Sequence, residues 1–251
     1  MTKKQPSEQA NKAVFPITKV NALRNRAAKA PQHSDNAPDG WSISSVDPIK
    51  MLGVFTALKM KPGFVLRAYL FRSGGNGNGV IWAMPTNAPF PEPSECPRLT
   101  DQFLEPAKPP LALDDLMDAI EGDGTPWSYL SSSLFARDAQ EFGAMWHGCH
   151  WSTHKILGAD PCPPGRSSKR RSSDIDGPSD DPDCWTWNEA KPYEWRPSFE
   201  QVNDQITISF LTHSGLGQEA IYRNSDSFRE GCYRFESESV VIAAGQGGYV
   251  F

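Results

Sequence analysis

Apolar side chains recur along this chain in two rhythms. From Gln201 onward they fall at every second position, as in Ile206, Ile208 and Phe210, and the runs EAIYR, CYRFESES and VVIAA continue between the turns SGLG and GQGG. A period of two places alternate side chains on opposite faces of a strand, so this block predicts an antiparallel meander. The runs FVLRAYLFR and VIWAMP, separated by SGGNGNG, predict a β-hairpin. That glycine loop leads into Val80, Ile81 and Trp82, which read as strand, so it is a turn and not a phosphate cradle opening a helix.

The second rhythm lies in residues 125–157. Counted from Phe135, the positions Ala139, Phe142, Trp146, Cys149 with His150, Thr153 and Leu157 recur at steps of three and four. The spacing predicts one long amphipathic helix with His150 on its apolar stripe. Ser131, Ser132 and Ser133 stand where an N-cap is expected, and Gly158 with the prolines after it stops the helix. Gly143 and Gly148 weaken it, with a break expected near Gly148. Residues 49–60 form an apolar run that fits either helix or strand, and Asp114 or Asp115 caps a short helix running to Glu121. The fold class expected is α+β, with antiparallel sheets, one principal long helix and extensive proline-rich loops.

Composition narrows the picture. The chain has 251 residues, 38% of them hydrophobic, with 22 prolines and 20 glycines, so the core must be concentrated in part of the length. Residues 1–40 are basic and poor in apolar side chains and read as a disordered arm. Residues 41–251 read as a single domain interrupted by an exposed low-complexity insertion at about 159–184. The net charge of −5 gives no strong nucleic-acid signal. No apolar run reaches membrane length, and the first residues lack a secretory signal, so the expected location is cytoplasmic, or exported without a classical signal. The five cysteines form no C-x-x-C pair and read as thiols, with Cys149 in the core.

Candidate chemistry rests on two groupings. Arg67 lies within an early strand, the triplet Ser131, Ser132 and Ser133 precedes a helical pattern, and Glu236 and Glu238 form a Glu-x-Glu before an apolar strand. This order resembles the arginine, Ser-Thr-Ser, Glu-x-Glu motifs of the mono-ADP-ribosyltransferase family, with Ser132 where the family has threonine. The resemblance implies NAD as a cofactor, a dinucleotide cleft between antiparallel sheets, and an acceptor of unknown identity, a protein being one class that fits. It also implies that Arg67 holds a phosphate while Ser131 and Ser133 support the cofactor, that Glu238 stabilises the ribosyl cation and that Glu236 orients the acceptor. The second grouping is His147, His150 and His154, whose spacing suits zinc or iron held from one helix. A third expectation is a non-enzymatic interaction or effector-like protein that uses the proline-rich loop and the aromatic segment from Trp185 to Trp195 as contact surfaces.

Overall fold

A computed structural model describes residues 10–30, 38–97, 106–161 and 185–250. Most of the expected insertion, with Cys162 and Cys184, therefore lies outside the described residues. The elements in chain order are β1 (Asn11–Val14), α1 (Ile17–Ala27), β2 (Gly40–Ile43), α2 (Ile49–Leu52), β3 (Leu58–Met60), β4 (Phe64–Ser73), β5 (Asn76–Pro85), β6 (Ile120–Gly122), α3 (Pro126–Gln140), β7 (Lys155–Ile156), β8 (Thr186–Trp187), β9 (Ser198–Val202), β10 (Gln205–Ser214), β11 (Ala220–Arg229) and β12 (Phe235–Ala244). Short 3-10 turns lie between several of them. The architecture is α+β with antiparallel sheet dominant. No helix among the described residues is long and apolar enough to cross a membrane.

The meander expected after residue 201 is the larger sheet, ordered β1-β9-β10-β11-β12-β8. Strand β10 is its centre. It pairs with β9 over Gln205–Ser209 and with β7 over Thr212–His213, so two short strands follow one another along the same edge. The expected hairpin is β4–β5, and β2 adds a third strand to it. Its turn is tighter than the glycine loop suggests: Ser73 pairs with Asn76, and Gly74 and Gly75 alone form the turn, both at positive φ.

One core joins the sheets. Leu66, Ala68 and Leu70 of β4 face Leu130, Leu134 and Phe135 of α3 and Ile206, Ile208, Phe210 and Phe228 of the large sheet within a single apolar cluster. Each of the leucine, isoleucine and phenylalanine side chains contributes roughly 1.5–3 kcal/mol by leaving water. The cluster also contains Phe15, Val20, Leu23 and Ala27. Within residues 10–30 this differs from the disordered arm expected over residues 1–40: Asn11–Val14 pairs with β9, and α1 buries Val20, Leu23 and Ala27 on one stripe. Three apolar side chains spaced at i, i+3 and i+7 suffice once a core exists to receive them, although the composition of the segment hides them.

The long helix is also corrected. α3 begins at Thr125, whose hydroxyl accepts from the Ser128 N–H, with Pro126 in the first turn, and it ends at Gln140. Gly143 adopts φ +72, a left-handed conformation that no helix interior tolerates, and a side chain there would collide with Leu70. The stripe Phe135, Ala139, Phe142 is buried as expected. Beyond Gly143 the apolar rhythm persists in the sequence but no helix carries it: Trp146 is exposed, and Cys149 is half-buried, not in the core. Ser131, Ser132 and Ser133 are mid-helix and fully buried, not caps. Ser132 donates to the Tyr233 carbonyl at 2.6 Å and Ser128 pairs with the Tyr233 hydroxyl at 2.9 Å, so the small side chains let α3 lie close against the loop before β12.

A candidate histidine cleft at the polar end of the large sheet

Between α3 and β7 the chain makes two 3-10 turns, Trp146–Gly148 and Trp151–Thr153, and these carry His147, His150 and His154. The segment is tied at both ends. Met145 donates its N–H to the Gly77 carbonyl of β5 at 3.0 Å, and β7 pairs with β10. Its middle is fixed by Trp151, which is buried and donates its indole N–H to Asp138 at 2.7 Å. The Arg24 guanidinium lies 4.1 Å from the Trp151 ring and donates to the carbonyls of His154 at 2.6 Å and Trp151 at 3.2 Å. From the end of α3, the Glu141 carboxylate accepts the backbone N–H groups of His150 and Trp151, and that of Ser152 at 2.9 Å.

The opposing wall comes from β10 and β11. Side chains at Ile206, Ile208, Phe210, Thr212 and Ser214 share the inner face of β10, and they change from apolar to hydroxyl along it. His154 Nδ1 lies 2.9 Å from Thr212 Oγ1, and Asn224 Nδ2 donates to the same oxygen at 3.1 Å. With the amide donating, the Thr212 hydroxyl is free to give its own proton to His154 Nδ1, an arrangement that leaves the imidazole N–H on Nε2. The Tyr222 ring packs 4.9 Å from the His154 ring, and Thr153 Oγ1 lies 3.1 Å from Ser214 Oγ. The C-terminal segment closes one side: Tyr249 exchanges backbone hydrogen bonds with Gly215 and Gly217, which brings Val250 alongside.

The result is an open cavity of about 420 Å³ lined by His147, His150, His154, Ser214, Leu216, Gly217, Tyr222 and Val250. Burial pushes the His154 pKa down to about 4, and Arg24, His150, Arg137 and His213 act in the same direction. The ring is therefore neutral at physiological pH. Nearby, burial raises Asp138 to about 6 against the opposing pull of Arg24. Below the cleft Arg137 makes a bidentate pair with the fully buried Asp226, at 2.6 and 2.7 Å, and also reaches Ser237 at 2.9 Å.

The structure thus brings the three histidines of the second grouping together, though not on one helix. They come from consecutive tight turns, His147 and His150 are exposed, so that His150 is not on the apolar stripe expected of it, and among the described residues no three His, Cys, Asp or Glu side chains converge closely enough to hold a metal ion. It does not bring the first grouping together. Arg67 is exposed on β4 and borders a cavity of about 300 Å³ with Ser45, Asp47 and Phe90, because the Leu66 face of the strand is the one turned to the main core. Ser131 and Ser133 are buried in α3, and among the described residues their hydroxyls have no hydrogen-bond partner. Phe235 packs on the core and Ser237 meets Arg137, so alternation turns Glu236 and Glu238 to the outer face of β12, where both are exposed. Glu236 borders a separate cavity with Asp115, Asp118 and Arg234.

Thr212, Ser214, Tyr222, Asn224 and the supports Arg24, Asp138 and Glu141 have no part in either sequence grouping. The signal that marks the strand residues is the alternation itself, which passes from Ile206, Ile208 and Phe210 to Thr212 and Ser214 without changing face. Comparison of the chain with protein-family models, with curated proteins and with solved structures returns no match.

Proposed function

We propose that the histidine cleft is a hydrolytic active site, in which His150 exchanges protons with solvent and substrate while His154 polarises the bond that breaks. The observation that carries this reading is the pairing of two unlike imidazoles on one cavity. His150 is exposed on a rigid turn, and His154 is half-buried, neutral and oriented by Thr212 and Asn224. A neutral imidazole whose N–H is aimed by a second hydrogen bond is a donor to a developing oxyanion, and a solvent-facing imidazole is an acid–base catalyst. Ser214 is already engaged with Thr153 and with the Leu216 N–H, so water is the nucleophile. His150 removes a proton from that water as its oxygen bonds to the ester centre. The ester bond breaks and the leaving oxygen takes the proton back from His150.

NAD-dependent ADP-ribosyl transfer through Arg67, Ser131 and Glu238 is not the reading proposed, because their positions are a sheet face, a helix interior and an outer strand face. Chromogenic carboxylic and phosphoric esters test the proposal. His150→Ala is expected to lower kcat/KM about 10²-fold to 10⁴-fold, with Glu236→Ala and Glu238→Ala unchanged. Equal rates in the wild type and in a His150→Ala, His154→Ala double variant would remove the cleft from consideration.

A further inference from the structure

Resting on the hydrolytic reading of the cleft, the inference here concerns what it binds. The described residues that line the cavity supply three imidazoles, two hydroxyls and the apolar Leu216 and Val250, and among these described residues there is no carboxylate, lysine or arginine side chain. Such a lining offers hydrogen-bond donors to an acceptor-rich group and repels no anion. Arg24, His150, Arg137 and His213 all act to lower the His154 pKa, and the carboxylates Asp226 and Glu219 that pair with Arg137 and His213 are not among the residues that line the cavity. Glu141, the nearest carboxylate on the segment, is turned away, with both of its oxygens taken by backbone N–H groups. Beside this polar half, the Tyr222 ring with Leu216 and Val250 forms an apolar flank, and about 420 Å³ lies within the usual size of a small-ligand pocket.

We infer that the cleft recognises a phosphate ester, with the phosphate against His150 and His154 and a flat organic substituent along Tyr222, Leu216 and Val250. The two halves of the lining then act on the two halves of one ligand. Orthophosphate satisfies only the donors, and an uncharged nucleoside satisfies only the flank.

The full chain is titrated with three probes while the imidazole proton resonances are followed: orthophosphate, a nucleoside 3′-monophosphate and the corresponding neutral nucleoside. Saturable shifts of the His150 and His154 resonances are expected with the two phosphates, the nucleotide binding about tenfold tighter than orthophosphate, together with an upward displacement of the His154 titration when the nucleotide is bound. His150→Ala, an exposed substitution that leaves the core untouched, is expected to weaken nucleotide binding about tenfold or more, and Arg67→Ala to leave it unchanged. The inference is overturned if no saturable shift occurs, if the neutral nucleoside binds as tightly as its phosphate, or if His150→Ala binds the nucleotide like wild type. Binding without turnover would leave this inference standing and remove the hydrolytic reading. Turnover of uncharged esters with no phosphate binding would do the reverse.

Discussion

The two ends of the β10–β11 ladder are built from the same backbone and bury the same face, yet their side chains differ in kind. At one end Ile206, Ile208, Phe210 and Phe228 pack against Tyr129 and Phe199 as an ordinary core. Toward the other, Asp226 and Asn224 of β11 stand opposite Ile208 and Phe210, Thr212 and Ser214 follow on β10, and all four are equally buried but polar. An apolar side chain at any of these positions would gain burial energy without needing a partner, whereas each buried hydroxyl or amide costs free energy until it is bonded. The polar end is satisfied through Arg137, His154 and Thr153, so its side chains hold other groups in place rather than fill space. A sheet stabilised only for its own sake would not change character two residues after Phe210.

The border between the two ends is the Arg137–Asp226 pair, and breaking it is expected to have the largest effect. Asp226 is fully buried, with both carboxylate oxygens bonded to one guanidinium. Arg137→Met strands that charge and is expected to lower unfolding stability by about 3–5 kcal/mol in urea denaturation, with Asp226→Leu added to the same chain recovering much of the loss. A single-variant loss below about 1 kcal/mol would mean that water reaches Asp226 and that the polar end is not a dry extension of the core.

The same contrast decides what was legible in the sequence. The period of two over 206–243 and the runs around Gly74 and Gly75 specify strands through local sterics and solvation alone, so the meander and the hairpin are readable. The helix break is not, because a rhythm of three and four continues from Trp146 to Leu157 after Gly143 has already turned the backbone left-handed. The histidines were visible as a group, but their convergence depends on Arg24 and Glu141 holding backbone atoms of a distant or preceding segment, and no periodicity encodes a bond from a side chain to a peptide group. Arg67, Ser131 and Glu238 matched a motif order that the sheet register separates. Glu238 opposes Ser225 on the β12–β11 ladder, and Arg67 opposes Trp82 on another sheet.

Next in size is the clamp on the histidine turns. Glu141→Ala removes the acceptor of three backbone N–H groups beside His150. Since the site is partly exposed, water replaces some of those bonds, and the expected loss of stability is about 1–2 kcal/mol. Ester turnover is expected to fall toward that of His150→Ala, although no catalytic group is deleted. Turnover that stays at the wild-type level while stability falls would show that the turns hold their shape without the carboxylate, and that the polar end is organised from β10 alone.

The smallest effect is a difference of slopes. His154 titrates at about 4 in the folded chain, below the ordinary imidazole value near 6.5, so between these values the unfolded chain binds more protons and stability rises with pH. Asp138 titrates at about 6, above the ordinary carboxylate value near 3.9, so over that interval the folded chain binds more protons and stability falls as pH rises. The two contributions oppose one another from about pH 4 to pH 6, and around this pair the wild-type profile is expected to be flattened. Asp138→Asn keeps an oxygen for the Trp151 indole but removes the titration, and its stability is expected to climb more steeply with pH than that of the wild type over the window. His154→Gln removes the other titration and is expected to tilt the profile the opposite way. Denaturation midpoints at half-unit pH steps suffice to read both slopes. Parallel profiles for all three chains would mean that neither group is shielded from water, and the wall between the cleft and the core would then be wetter than the packing around Trp151 implies.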